Sequence, residues 1–312
     1  MSEERTVEEY VKGLNLKEIT KLEELFELWK KAHVIEVEEI RRKIKEEKRE
    51  WECDGKTFQE KIYNGGTVSS HFIQFFYRDK CRECVEMKEK EVWQYVLEKA
   101  FNADGCVGGY AIPTGGYKYI VLLKEANDSN KNCVYKNYKE EALPNQWLLD
   151  WKEWILKREE EKKSNYKMLN KLNKAFEILL EKQPEQQQFF FEEMAYMNVN
   201  KRGGASTTES NDQEAVIQYA KKYRDFILKE IDLLSPSSKD EEVTVFICGR
   251  RDNYFEMLLK ELCGESIKIQ GDMSRYTDIS NGRKIKFVNL THPSGRISAG
   301  NLAKEMSVGK SK

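Results

Sequence analysis

Imidazole is what this chain has least of among acid–base groups: its 312 residues contain three histidines, His33, His71 and His292. Any chemistry that needs one must use one of these. No apolar run is long enough to cross a bilayer, and Met1-Ser2-Glu3-Glu4-Arg5 carries no apolar signal region, so neither a membrane span nor secretion is expected. Charge of one sign is not in excess: 53 Lys and Arg stand against 54 Asp and Glu, a net charge of −1. Overall charge therefore favours no partner, and a nucleic-acid surface must come from local clustering. Internal repeats and low-complexity blocks are absent. Seven cysteines, an odd number scattered over positions 53, 81, 84, 106, 133, 248 and 263, read as reduced thiols of a cytoplasmic protein rather than as a disulfide framework.

What is present is a chain able to bury a large core, in one large domain or two smaller ones: 39% of residues are hydrophobic and 34% charged. Residues 1–110 form a mostly helical N-terminal extension, in which Leu22, Leu25, Phe26 and Trp29 recur at helical spacing. At Tyr117–Leu123 the texture changes to a continuous apolar run behind Gly115-Gly116, which predicts a buried parallel strand. A helical insert follows over 139–190, with helices at about 140–160 and 164–182. Trp147, Trp151 and Trp154 make one stripe on the first of these, which reads as packing. Strands are predicted at 194–200, 243–248, 267–269 and before His292, with helices over 211–234 and 253–263. Residues 304–312 read as a flexible, basic tail.

Strands alternating with helices from 117 onward predict an α/β fold, a three-layer α/β/α sandwich with a mostly parallel central sheet. Four strands empty into polar loops that share one edge of such a sheet: Lys124-Glu125-Ala126-Asn127-Asp128, Asn198-Val199-Asn200-Lys201-Arg202-Gly203-Gly204, Gly249-Arg250-Arg251 and His292-Pro293-Ser294-Gly295-Arg296. The first offers carboxylates and amides, the next two an amide, glycines and cations, and the last an imidazole.

In order and strand context these four loops resemble the motifs of the uracil-DNA glycosylase superfamily. Lys124-Glu125-Ala126-Asn127-Asp128 is similar to that family's Gly-Glu-Ala-Pro-Gly motif, with lysine and asparagine in place of the glycine and proline. Met197-Asn198-Val199-Asn200-Lys201 is similar to the asparagine-bearing middle strand, Cys248-Gly249-Arg250 to a third strand end, and His292-Pro293-Ser294 to the last motif. The resemblance covers roughly residues 110–303, the domain at 111–303, and says nothing of the first 110. Iron–sulfur members of the family carry four cysteine ligands. Here only Cys81 and Cys84 have ligand-like spacing, which reads as two helical cysteines three apart, and no metal or cofactor is expected.

The resemblance implies an enzyme that flips a base out of DNA and hydrolyses its N-glycosidic bond. His292 would donate to the departing base. Glu125 would position the water or stabilise the sugar cation, with Asn127 and Asp128 as alternates. Asn198 would read the base edge through its amide donor and acceptor, and Tyr135 or Tyr138 would stack on the base. Lys201, Arg202, Arg250, Ser294 and Arg296 would contact DNA, with Arg296 or Ile297 as the wedge. The altered first motif and the helical additions point to a modified pyrimidine rather than plain uracil, in repair or in defence against phage. The other readings are an inert nucleic-acid or nucleotide-binding protein on the same fold, and an interaction protein working through its helical arms. DNA is the expected partner, no membrane contact is expected, and a monomer is favoured.

Overall fold

A computed structural model describes residues 6–46, 101, 103–106, 112–127, 167–181, 194–204, 210–238, 240–249, 253–264, 267–270, 274–278 and 283–307. The expectations for Cys81, Cys84, Asp128, Tyr135, Tyr138, Arg250 and the tryptophan stripe fall outside these residues. The chain divides into two compact units, one of Met1–Ala103, Glu125–Gln146 and Asn200–Phe226, the other of Asp104–Lys124, Trp147–Val199 and Ile227–Lys312.

The first unit is built around Trp29. Helix α1 (Val7–Lys12) starts at a capping box in which Thr6 and Glu9 satisfy each other's backbone amides. Helix α2 (Leu22–Glu46) turns Leu22, Leu25, Phe26, Trp29 and Ala32 into the interior, at the spacing expected of a 3.6-residue period. Trp29 packs on Phe101, Tyr219, Tyr223 and Phe226, at ring-centroid distances of 5.9, 6.4, 6.1 and 5.2 Å. Polar groups sit inside this aromatic cluster with partners. The ring Nε2 of His33 lies 2.8 Å from the Tyr219 hydroxyl, and Glu36 accepts from the Tyr223 hydroxyl at 2.7 Å and from Lys222 at 2.9 Å. The N-terminal helices are therefore not an extension set apart by sequence, because they share a core with residues from 200–226.

The sheet has six strands, β1 (Tyr119–Asn127), β2 (Met194–Gly204), β3 (Val243–Cys248), β4 (Lys268–Gln270), β5 (Ser274–Asp278) and β6 (Lys284–Leu290), in the order β2-β1-β3-β6-β5-β4. The first four in that order are parallel, the α/β arrangement predicted, and β5 and β4 extend the sheet as an antiparallel pair. Strand β5 was not expected: Ser274-Arg275-Tyr276-Thr277-Asp278 is polar, and its pairing to β6 supplies what its composition does not. One face of the parallel strands packs Val121, Leu123, Met194, Tyr196, Phe246, Cys248, Val288 and Leu290 against helices α3 (Lys167–Leu180) and α7 (Ala299–Ser307). The alternate residues Ile120, Leu122, Val245, Ile247, Ile285 and Phe287 are also buried, so both faces are covered.

Two expectations change here. The helix predicted over 211–234 is two, α4 (Ser210–Lys222) and α5 (Arg224–Leu234), parted at Tyr223, whose ring and hydroxyl are taken up by Trp29 and Glu36. The tail is not loose from 304: α7 runs to Ser307, with Leu302, Ala303 and Met306 buried. Helix α6 (Tyr254–Cys263) follows β3. Gly116 leads into β1 at φ +64° with the Ser235–Pro236 backbone 2.5 Å from where a Cβ would stand, so only glycine fits that crossing. No helix among the described residues is long and apolar enough to cross a membrane.

Candidate active site

Strand β6 ends at Leu290, and the chain turns over His292-Pro293-Ser294-Gly295, closed by the Gly295 N–H donating to the His292 carbonyl at 2.8 Å. Both sides of this turn are tied to helices. At its start, Glu305 of α7 accepts from the Thr291 N–H at 2.7 Å and from the Thr291 hydroxyl at 2.9 Å. At its end, Lys171 of α3 donates to the Gly295 carbonyl at 2.6 Å. Pro293 is buried, while Ser294 and Arg296 are exposed.

This turn decides which nitrogen of His292 carries the proton. The Ser294 backbone N–H, which can only donate, points at Nδ1 from 3.2 Å, and the Ser294 hydroxyl lies 2.7 Å from the same atom. Nδ1 is therefore an acceptor, and the neutral ring carries its proton on Nε2. Burial, then the charges of Lys124 and Lys171, pull the His292 pKa from the usual 6.5 down to about 4. At neutral pH the residue is an uncharged hydrogen-bond donor.

Lys124, near the carboxyl end of β1, is shaped by its neighbour strand. Its Nζ lies 4.6 Å from the centroid of the Tyr254 ring. Gly249, at φ +156°, makes room for this: an added Cβ would stand 2.6 Å from the Tyr254 ring and 3.0 Å from Lys124 Cε. The structure thus brings His292, Ser294, Lys124 and Lys171 together.

The other predicted site residues are placed differently. Glu125 and Asn127 are not in a loop but are the last residues but two and last of β1. They belong to the first compact unit, His292 to the second. Asn198, expected at a strand end, lies inside β2, which continues to Gly204. It is 0% exposed, and both its backbone N–H (2.9 Å) and its side-chain amide (2.7 Å) donate to Asp104, itself 1% exposed. Lys201, expected as a loop cation for phosphate, is a strand residue at 0% exposure, its Nζ 5.7 Å from the Phe26 ring and 5.4 Å from that of Trp29. Its place in a strand rather than a loop corrects the expected setting of this cation. Arg202 is also a strand residue.

Sequence reasoning missed Asp104, Lys171 and Glu305. Asp104 lay in what read as a turn after a helix, and the other two act across the fold from segments with no local signal. Lys124 had stood out only as a departure from the motif. Burial pushes the Cys248 thiol far up, so this core cysteine is not a nucleophile. Among the described residues there is no group of three or more His, Cys, Asp or Glu that could hold a metal ion. Comparison of the chain with protein-family models, with curated proteins and with solved structures finds no match.

Proposed function

We propose that this chain is a DNA glycosylase that hydrolyses the N-glycosidic bond of uracil or of a modified pyrimidine and leaves an abasic site. The observation that carries the reading is the neutral, Nε2-protonated His292 at the carboxyl edge of a parallel sheet, where α/β ligand sites lie. Breaking the bond sends its electron pair into the base. A fixed neutral donor stabilises the oxygen on which that charge collects, more in the transition state than in the ground state. Water then adds to the sugar carbon and loses a proton, and positioning it is the role that the motif resemblance implies for Glu125, with Asn127 as alternate. The order of the four sequence motifs, which resembles that of the uracil-DNA glycosylase superfamily, supports the same reading.

The test is an abasic-site assay on uracil-containing, modified and unmodified DNA. Alkali-labile sites are expected, with yield in His292→Ala lowered by about a hundredfold or more. No abasic product on any of these DNAs, or an unchanged rate in His292→Ala, rejects the proposal.

One observation favours a second reading, a nucleic-acid or nucleotide-binding protein without chemistry: Asn198 and Lys201, two residues the resemblance assigns to the site, are fully withdrawn into the interior. Tight DNA binding without any alkali-labile product decides for it.

A further inference from the structure

We propose that Asp104 is a specificity-setting residue. It fixes the Asn198 side-chain amide so that the buried Oδ1 is offered to the ligand, a pyrimidine that presents an N–H to it, either the 3-imino group of a uracil-type base or the 4-amino group of a cytosine-type base. This deepens the glycosylase reading and rests on it for the identity of the substrate.

A carboxylate can only accept. Asp104 Oδ2 takes the Asn198 backbone N–H at 2.9 Å and the Asn198 Nδ2 at 2.7 Å. Turning the amide over would set two acceptors against each other, so Nδ2 faces Asp104 and Oδ1 faces away. Asp104 is itself held in place. Its neighbour Gly105 exchanges two backbone bonds with Tyr196, at 2.8 and 2.9 Å, in an antiparallel bridge. Gly105 takes φ +112°, with the Leu234 side chain 3.1 Å from where a Cβ would stand. Asp104 is 1% exposed and Asn198 0%, so water does not compete for their bond.

The far end of the amide is incomplete. Among the described residues no donor meets Asn198 Oδ1, although the atom is buried. Folded interiors leave few acceptors in that condition. A ligand that enters the interior, as a base flipped out of the stack does, would supply the N–H. The second N–H of Nδ2 stands beside the same oxygen. Helix α3 ties this part of β2 to the His292 turn. Tyr196, two residues before Asn198 and on the same face of the strand, donates its hydroxyl to Met168 Sδ at 3.7 Å. Lys171, three residues along α3, donates to the Gly295 carbonyl at 2.6 Å. Side chains three apart on a helix are neighbours, with Cβ atoms about 5–6 Å apart.

The experiment titrates the full chain with deoxyuridine, deoxycytidine and 3-methyldeoxyuridine and follows its amide NMR signals, the Asn198 side-chain amide among them. Deoxyuridine or deoxycytidine should bind saturably and shift that signal, and the tighter of the two assigns the donor to the 3-imino or the 4-amino group. The methylated nucleoside offers neither donor and should bind at least about tenfold more weakly. This discrimination should persist in Asp104→Asn, whose amide oxygen can still accept both bonds, and fall to within about threefold in Asp104→Ala. Should Asp104→Ala assemble or unfold, Asn198→Leu carries the test, since it removes the acceptor and should abolish the same discrimination. No binding of any of the three nucleosides, equal binding of the methylated one, or discrimination unchanged in Asp104→Ala or Asn198→Leu overturns the proposal. Donor-dependent binding without abasic product leaves Asp104 its role and removes the glycosylase reading. Abasic product formed as fast from 3-methyluracil as from uracil in DNA does the opposite.

Discussion

Burial first, then the charges of Lys124 and Lys171, oppose a positive charge on His292, so the folded chain takes up that proton only near pH 4, against 6.5 when unfolded. Between those values the unfolded chain binds more protons. The stability this residue contributes is therefore complete above pH 6.5 and is lost as pH falls toward 4. Urea midpoints measured across this window should fall with acid by up to about one proton's worth of slope, and His292→Gln should flatten that component. If the neutral ring is the working form, abasic-site yield should persist on the acid side well below pH 6.5. A yield that rises as His292 protonates contradicts the neutral-donor reading. The place of His292 just beyond a strand was legible because the residues before it alternate. Its tautomer was not, since it depends on where one backbone amide points. Asn198 and Lys201 were misread for a related reason: polar residues after an apolar run look like a loop, and here the strand simply continues with its polar groups paired to Asp104 and to aromatic faces.

Helices α3 and α7 bury one face of the sheet and also hold the His292 turn at both ends. Glu305→Ala leaves the half-buried Thr291 N–H and hydroxyl without their acceptor, at an expected cost of about 1–3 kcal/mol in chemical denaturation. Glu305→Gln, which keeps one oxygen, should cost less and retain more activity. Gly249→Ala places a methyl against Tyr254 and Lys124, and a loss of about 1–3 kcal/mol is expected from overpacking. Most of the elements were readable from periodicity: β3 matches its predicted span, and α6 begins one residue later than expected. The clamp was not, because Glu305 sat in what read as a tail and Lys171 on an ordinary amphipathic helix, and neither sequence position announces a contact more than ten residues away.

On the scale of the molecule, the two compact units are interleaved along the chain, which passes from one to the other after Ala103, Lys124, Gln146, Val199 and Phe226. The boundary expected near 110 does not separate the two units. A chain starting at 111 would lose Phe26, Trp29 and Phe101 and bare Tyr219, Tyr223 and Phe226. It should be insoluble or fail to unfold cooperatively, whereas Trp29→Ala in the full chain should cost about 3–5 kcal/mol and still fold. A soluble, cooperative 111–312 fragment would show residues 1–110 to be dispensable for folding. The Asp104–Asn198 contact matters for what the protein avoids. Strand β2 ends the sheet, and Gly105 and Asp104 occupy its outer hydrogen-bonding positions at Tyr196 and Asn198. An uncovered strand there is a template for a second copy of the chain. Asp104→Ala should therefore be seen first in light scattering, as concentration-dependent growth of strand-paired assemblies.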